Sequence, residues 1–223
     1  MKEGKPTKAS LEHLVFYPNT TKTSYPTIIG LHGRGTNEHD LLPLIESLDI
    51  PDALVISPRA PFLFNLGGLA GGYVWYELGE EGIPDPTTFR KSIDLLSSFL
   101  QEIKEAYPLD PSKVLLLGFS QGTVMAYAVG LGEPDKIHGI AALSGYVPHR
   151  SGLPLRLRNL NELSVFISHG AWDEMIPVEF GRESAQLLRT AGADVVYHEY
   201  QMGHEVSEET LRDLKVWGRN LLG

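Results

Sequence analysis

The segment Gly118-Phe119-Ser120-Gln121-Gly122 constrains this chain most. It follows the apolar run Val114-Leu115-Leu116-Leu117 and precedes the helix-like stretch Thr123-Val124-Met125-Ala126-Tyr127-Ala128. A serine between two glycines is common in ordinary loops. Between a buried strand and a helix it specifies a sharp turn that strains the serine backbone and exposes its hydroxyl. A side chain two positions to either side would strike neighbouring backbone, so glycine is needed at both. Ser120 is the candidate nucleophile.

A serine hydroxyl is a poor nucleophile until an adjacent base, itself oriented by a carboxylate, accepts its proton. After a strand-turn-helix serine of this kind the chain order is serine, acid, histidine, each leaving the C-terminal end of a strand. Ser164-Val165-Phe166-Ile167-Ser168 has the look of a buried strand and leads into His169-Gly170-Ala171-Trp172-Asp173. Val195 to Tyr200 forms another and leads into Gln201-Met202-Gly203-His204. Asp173 and His204 are the expected partners. Asp194 opens a strand and so belongs at the opposite edge of the sheet, while His198 and Glu199 alternate within it. His169 is a rival base, but it precedes Asp173 and would break the triad order. The simpler expectation is a structural histidine bonded to loop backbone.

Acyl transfer also needs donors for the oxyanion. One is the backbone N–H of Gln121, after the nucleophile. Tyr25 to Leu31 forms an early strand that ends in His32-Gly33-Arg34-Gly35, an HG-x-G loop that offers the Arg34 N–H as the second. His32 is expected to brace that loop.

Together Leu31-His32-Gly33-Arg34-Gly35, the Ser120 segment, His169-Gly170-Ala171-Trp172-Asp173 with Ile176-Pro177-Val178, and Gly203-His204-Glu205-Val206 resemble the phospholipase/carboxylesterase family of α/β-hydrolases. That family includes bacterial carboxylesterases and acyl-protein thioesterases, and the likeness runs from about Pro26 to the C-terminus. It implies an α/β-hydrolase fold without a large cap domain, and hydrolysis of esters or thioesters. Ser120 would be nucleophile, His204 base and acid, Asp173 the orienting carboxylate, and Arg34 and Gln121 the oxyanion donors. Arg34 departs from the small or aliphatic residue common in the eukaryotic thioesterase branch. Gly72-Tyr73-Val74-Trp75-Tyr76 looks more like the bacterial esterase branch.

Strand-like and helix-like stretches alternate along the chain, so an α/β fold is expected, with a mostly parallel sheet covered by helices on both faces. Helices are predicted over residues 39–48, 87–107, 178–190 and 208–221, the last capped by Ser207. Residues 11–17 read as an edge strand and residues 1–10 as a loose polar leader. At 223 residues, with no linker or repeat, one domain over 1–223 is expected. A formal charge of −9 disfavours nucleic acid and anionic membranes as partners. No apolar run reaches the ~20 residues of a membrane span, and the basic N-terminus lacks the apolar core of a signal peptide. The absence of cysteine removes disulfides, thiolate metal sites and a cysteine nucleophile. Cytoplasm is the default compartment. His13, His39, His138 and His149 lack metal-ligand spacing, and neither a metal nor a cofactor is expected.

Residues 58–86 read as one long loop of glycines and aromatics, either a mobile flap over an acyl pocket or a packed surface loop. Its glycines make no phosphate cradle. Leu66, Tyr73 and Trp75 from this loop, with Met175, Ile176 and Val206 beside the triad, are the candidate substrate-binding residues. Residues 147–161 read as a solvated basic loop. The expected activity is a serine carboxylesterase acting on small short-to-medium acyl esters. Lysophospholipase or acyl-thioesterase chemistry is the alternative, and a silent binding protein on the same fold is the reading from another class.

Overall fold

The computed structural model describes residues 1–66, 69–79 and 82–223, and for residues 66, 69 and 70 the backbone alone. Its elements run β1 (Lys2–Glu3), β2 (His13–Tyr17), β3 (Tyr25–Leu31), α1 (Leu42–Leu48), β4 (Leu54–Pro58), β5 (Phe62–Leu66) and β6 (Leu69–Val74). Then follow α2 (Pro86–Ala106), β7 (Leu109–Phe119), α3 (Gln121–Gly130), β8 (Gly139–Leu143), β9 (Ser164–Gly170), α4 (Val178–Thr190), β10 (Asp194–Tyr200) and α5 (Glu208–Leu222). Eight strands form one sheet in the order β1-β2-β4-β3-β7-β8-β9-β10. From β4 to β10 every pairing is parallel, whereas β1-β2 and β2-β4 are antiparallel.

Side-chain alternation along the central strands builds the two covering layers. In β7, Val114 and Leu116 join the core shared with Leu96 and Phe99 of α2, Val124 and Met125 of α3, and Leu188 of α4. Leu115 and Leu117 point the other way, onto Ile45 and Leu48 of α1 and Leu214 and Leu222 of α5. Each of these fully buried side chains contributes about 1.5–3 kcal/mol over an exposed one. Two such contacts on β7 outweigh the ~1–3 kcal/mol that a strained residue at its end costs.

Helix starts follow local chemistry. Asp85 accepts from Thr88 N–H at 2.8 Å and Pro86 opens α2, while Ser207 accepts from Thr210 N–H at 3.2 Å to cap α5. Helix α1 begins at Leu42 instead of His39. Pro43 suits a first turn, and the residues before it form a turn in which Asn37 Oδ1 accepts from His39 N–H.

Two regions differ from expectation. Residues 1–10, read as a loose leader, are tied down. Lys2 and Glu3 pair with Tyr17 and Phe16, Thr7 N–H donates to the Tyr107 hydroxyl, and Ser10 N–H donates to Glu102. Strand β2 is therefore not the sheet's edge. Within residues 58–86, β5 and β6 pair antiparallel as a hairpin outside the main sheet. Phe62, Phe64 and Leu66 alternate with Leu63 and Asn65 as a strand should, but the glycines of β6 mask its partner.

Candidate active site

Strand β7 ends at Phe119, and the next residue, Ser120, has a φ of +54° and ψ of −118°, a region that L-residues avoid. The turn is tight for a steric reason. A Cβ at Gly122 would overlap Leu31 O of β3, and one at Gly118 would run into the Gly122 backbone. Ser120 N–H donates to Leu143 O at 3.0 Å, and Thr123 Oγ1 accepts from Leu143 N–H at 3.1 Å, so β8 holds the turn from the side.

The other two candidate residues arrive on neighbouring strand ends. Ala171 N–H donates to Tyr200 O at 2.8 Å and Trp172 N–H to Met202 O at 3.0 Å, which runs the loops after β9 and β10 side by side. A Cβ at Gly170 would overlap Gly203 O, so only glycine permits this approach. In the resulting geometry Ser120 Oγ–H donates to His204 Nε2 at 2.9 Å, and His204 Nδ1–H donates to Asp173 Oδ2 at 2.8 Å. The second oxygen of Asp173, Oδ1, accepts from Met175 N–H at 2.9 Å and Ile176 N–H at 2.8 Å. Asp173 is buried and His204 half-buried, its ring against Phe119 with centroids 5.0 Å apart. The three side chains thus form one continuous relay that can move a proton off a hydroxyl and stabilise the imidazolium formed.

On the opposite side lies the His32–Gly35 loop. His32 Nε2 accepts from Ala60 N–H at 3.0 Å, so its proton is on Nδ1, which donates to Gly33 O at 2.7 Å. Burial lowers its pKa below the ordinary histidine value, which keeps the acceptor nitrogen bare. The loop is then stitched to β6, with Gly35 N–H donating to Tyr73 O and Tyr73 N–H to Thr36 O, both at 2.8 Å. Among the described residues, neither the Arg34 nor the Gln121 backbone N–H meets an acceptor. The Arg34 side chain is exposed and lies over the Phe64 ring, 4.3 Å from its centroid.

The expected substrate-binding residues divide. Tyr73 is half-buried on β6 beneath the Arg59 guanidinium, Met175 is 71% exposed and Ile176 is half-buried. Trp75 is a correction. It is 0% exposed, its indole N–H donates to His32 O at 2.9 Å, and its backbone N–H donates to Gln121 Oε1 at 3.1 Å. It is a brace and offers no surface to a ligand. Val206 packs against the α1/α5 core. The Leu66 side chain lies outside the described residues. Phe64 on β5 belongs to the aromatics of the 58–86 stretch, whereas Tyr146 and Phe180, whose rings are 5.3 Å apart, were not anticipated. Tyr146 follows Gly145, where a Cβ would stand 3.0 Å from Ser120 O. The apolar character of both aromatics is plain in the sequence, but their surroundings are set by the fold.

The remaining histidines serve elsewhere. His13 meets the Tyr107 hydroxyl at 2.6 Å, and His198 stacks near Tyr200. In the 147–161 stretch Arg150 pairs with Glu183 and Arg156 with Asp135. Among the described residues no group of three His, Cys, Asp or Glu side chains could hold a metal, and no helix is long and apolar enough to cross a membrane.

Known proteins share this framework. The solved carboxylesterase of Bacillus cereus superposes with a TM-score of 0.81 at 30% identity, covering 95% of this chain and 94% of that one. Esterase PE8 gives a TM-score of 0.80 at 25% identity over the full length of both chains. Among sequence relatives, acyl-protein thioesterase 1 of Debaryomyces hansenii is 28% identical over 216 residues, which is 87% of this chain and 90% of the relative. The model of the phospholipase/carboxylesterase family matches residues 16–219. With its mostly parallel eight-stranded sheet, helices on both faces and strand-end serine turn, the chain belongs to the phospholipase/carboxylesterase family of hydrolases, on the α/β-hydrolase fold.

Proposed function

We propose that residues 1–223 act as one unit, a serine carboxylesterase for small esters of short-to-medium acyl chains. The observation that carries this is the unbroken relay from Ser120 Oγ through His204 to Asp173, with contacts of 2.9 and 2.8 Å. Ser120 Oγ attacks the acyl carbonyl carbon while its proton passes to His204 Nε2, and Asp173 Oδ2 holds the Nδ1–H of the imidazolium. The carbonyl oxygen, now an anion, takes hydrogen bonds from the Arg34 and Gln121 backbone N–H groups. Collapse breaks the bond to the leaving oxygen, which collects the proton from Nε2. Water, deprotonated by the same nitrogen, then attacks the acyl-enzyme; the bond to Ser120 Oγ breaks, Oγ takes the proton back from Nε2, and the acid leaves.

The acyl chain lies between the β5–β6 hairpin, with Phe64 and Tyr73, and the Tyr146, Met175, Ile176 and Phe180 side. Each methylene buried there adds ~0.8 kcal/mol until the space is full. On this reading a space bounded by a hairpin and two loops would fill early, so the optimum falls at short-to-medium chains. A second reading, acyl-thioesterase or lysophospholipase activity, is favoured by the relatives named acyl-protein thioesterase 1 and by the exposed Trp172 and Met175 beside Asp173.

The test is labelling by a serine-reactive phosphonate, followed by kcat/KM along a series of aryl esters. Stoichiometric modification at Ser120, insensitivity to EDTA and an optimum before long chains are expected. Labelling elsewhere defeats the nucleophile assignment, and a profile still rising at palmitoyl length selects the second reading.

A further inference from the structure

His169 stands near the end of β9, four residues before Asp173, and is 0% exposed. Its Nε2 lies 2.7 Å from Ile176 O and 3.5 Å from Asp173 Oδ2. Its Nδ1 is equally buried and has no partner among the described residues. One proton arrangement suits this site: Nε2–H donates to Ile176 O and Nδ1 is bare. Helix α4 seals the bare side with Gly181, where a Cβ would lie 2.7 Å from Nδ1 and 3.0 Å from the ring Cγ. The ring is therefore clamped in one orientation.

The charged and titratable groups that act on it are Asp173 and His204 from the site and Glu199 from β10, whose carboxylate is paired with Arg182 of α4, and Gly181 of α4 packs on the ring itself. Burial prevails over the pull of the two carboxylates and lowers the His169 pKa below its ordinary value. A proton on Nδ1 would be a buried charge with no acceptor. The contacts also close on themselves. Asp173 Oδ1 accepts the Ile176 N–H, Ile176 O accepts the His169 N–H, and His169 borders the other Asp173 oxygen.

We infer that His169 is a positioning residue: clamped between β9 and Gly181 of α4 as the neutral Nε2–H tautomer, it fixes the Asp173–Ile176 turn and so aims the carboxylate oxygen that orients His204. This rests on the roles proposed above for Asp173 and His204 and adds a residue behind them. It also gives Gly181 a task, since any side chain there would displace the ring.

The test compares His169→Phe, which keeps a ring and removes the donor, with His169→Gln, whose amide N–H can reach the place of Nε2. His169→Phe should lower kcat by about 10²-fold, as small misplacements in active sites do, with little change in KM. The acid limb of its kcat/KM profile should move to lower pH, because the His204 imidazolium loses part of its carboxylate. His169→Gln should recover most of both, and Gly181→Ala, on a separate element, should reproduce the displaced limb. A folded His169→Phe or Gly181→Ala with wild-type kcat and pH profile, altered only in melting temperature, overturns the inference. Should His169→Phe fail to fold, nitrogen-15 NMR of the wild-type ring decides: a Nδ1-protonated or charged His169 at neutral pH overturns it. Full turnover by His204→Ala would instead sink the triad itself, a separate outcome.

Discussion

The Ser120 turn and the β5–β6 hairpin border the same site and are built on opposite principles. The turn is held by steric exclusion, with the end of β3 close enough that a methyl group at Gly122 has nowhere to go. The hairpin forms a separate two-stranded sheet and is joined to the loop after β3 by backbone bonds to Gly35 and Thr36. On the proposed function, chemistry that tolerates no displacement would be mounted on the sheet, and the surface that meets the variable part of a substrate would be mounted off it. Changes at the turn should act on whether an ester is cleaved, and changes at the hairpin on which one.

The hardest test of that division is removal of the relay. Ser120→Ala should leave melting temperature and circular dichroism unchanged while turnover falls on the order of 10⁴-fold or more, and His204→Ala should cost a comparable factor because the members act as a unit. Substantial turnover by His204→Ala would mean the turn does not carry the chemistry. Next, Gly122→Ala should lose several kcal/mol of stability, since its Cβ meets immovable backbone at Leu31. A folded, active Gly122→Ala would show that the turn can relax after all.

Smaller effects are expected across the site. Phe64→Ala and Tyr146→Ala should shift the chain-length optimum by one or two methylenes, about fourfold in kcat/KM per methylene, with acetate esters less affected than longer ones. Equal loss on all chain lengths would erase the contrast between turn and hairpin. Arg34→Ala should change substrate preference and not reach the ~10²–10³ loss of a missing oxyanion donor, because its role is assigned to backbone.

The smallest effect is on stability against pH. His13, His32 and His169 all have pKa values lowered first by burial. The unfolded chain therefore takes up protons that the folded one refuses. Their contribution is complete above the ordinary histidine value of ~6.5 and is lost as pH falls below it. The melting temperature should drop between pH 7 and 5, before the carboxylates respond. A flat profile across that window would show that these rings titrate without disturbing the loops they brace.

What could be read from the sequence follows from how far each determinant reaches. The serine turn depends on five consecutive residues and two flanking apolar runs, so it was legible. That Asp173 and His204 would meet Ser120 was legible from chain order and strand ends. Trp75 was misplaced because an aromatic in a glycine-rich loop looks alike whether it lines a pocket or fills a core; its indole N–H finds His32 O only in the fold. Strand β1 was hidden because Lys2 and Glu3 carry no apolar pattern, and their place is set by pairing with Tyr17 and Phe16. The Gln121 side chain, which accepts from Trp75 N–H and donates to Tyr76 O, could not be seen to hold a segment 45 residues away. The clamp of His169 by Gly181 was equally invisible, because the contact joins a strand to the helix that crosses it.

The eight-stranded sheet has two margins, and each bears on how copies of the molecule behave together at high concentration. Open strand edges invite pairing between chains. On one side the outermost strand is only the two residues Lys2 and Glu3, too short and too charged to template a longer ladder. On the other, Arg189 donates to Val195 O of β10, and Arg182 bonds Glu199 with Tyr197 alongside, so side chains occupy or crowd the edge that another chain would need. Added to a formal charge of −9, these margins favour dispersal over edge-to-edge growth.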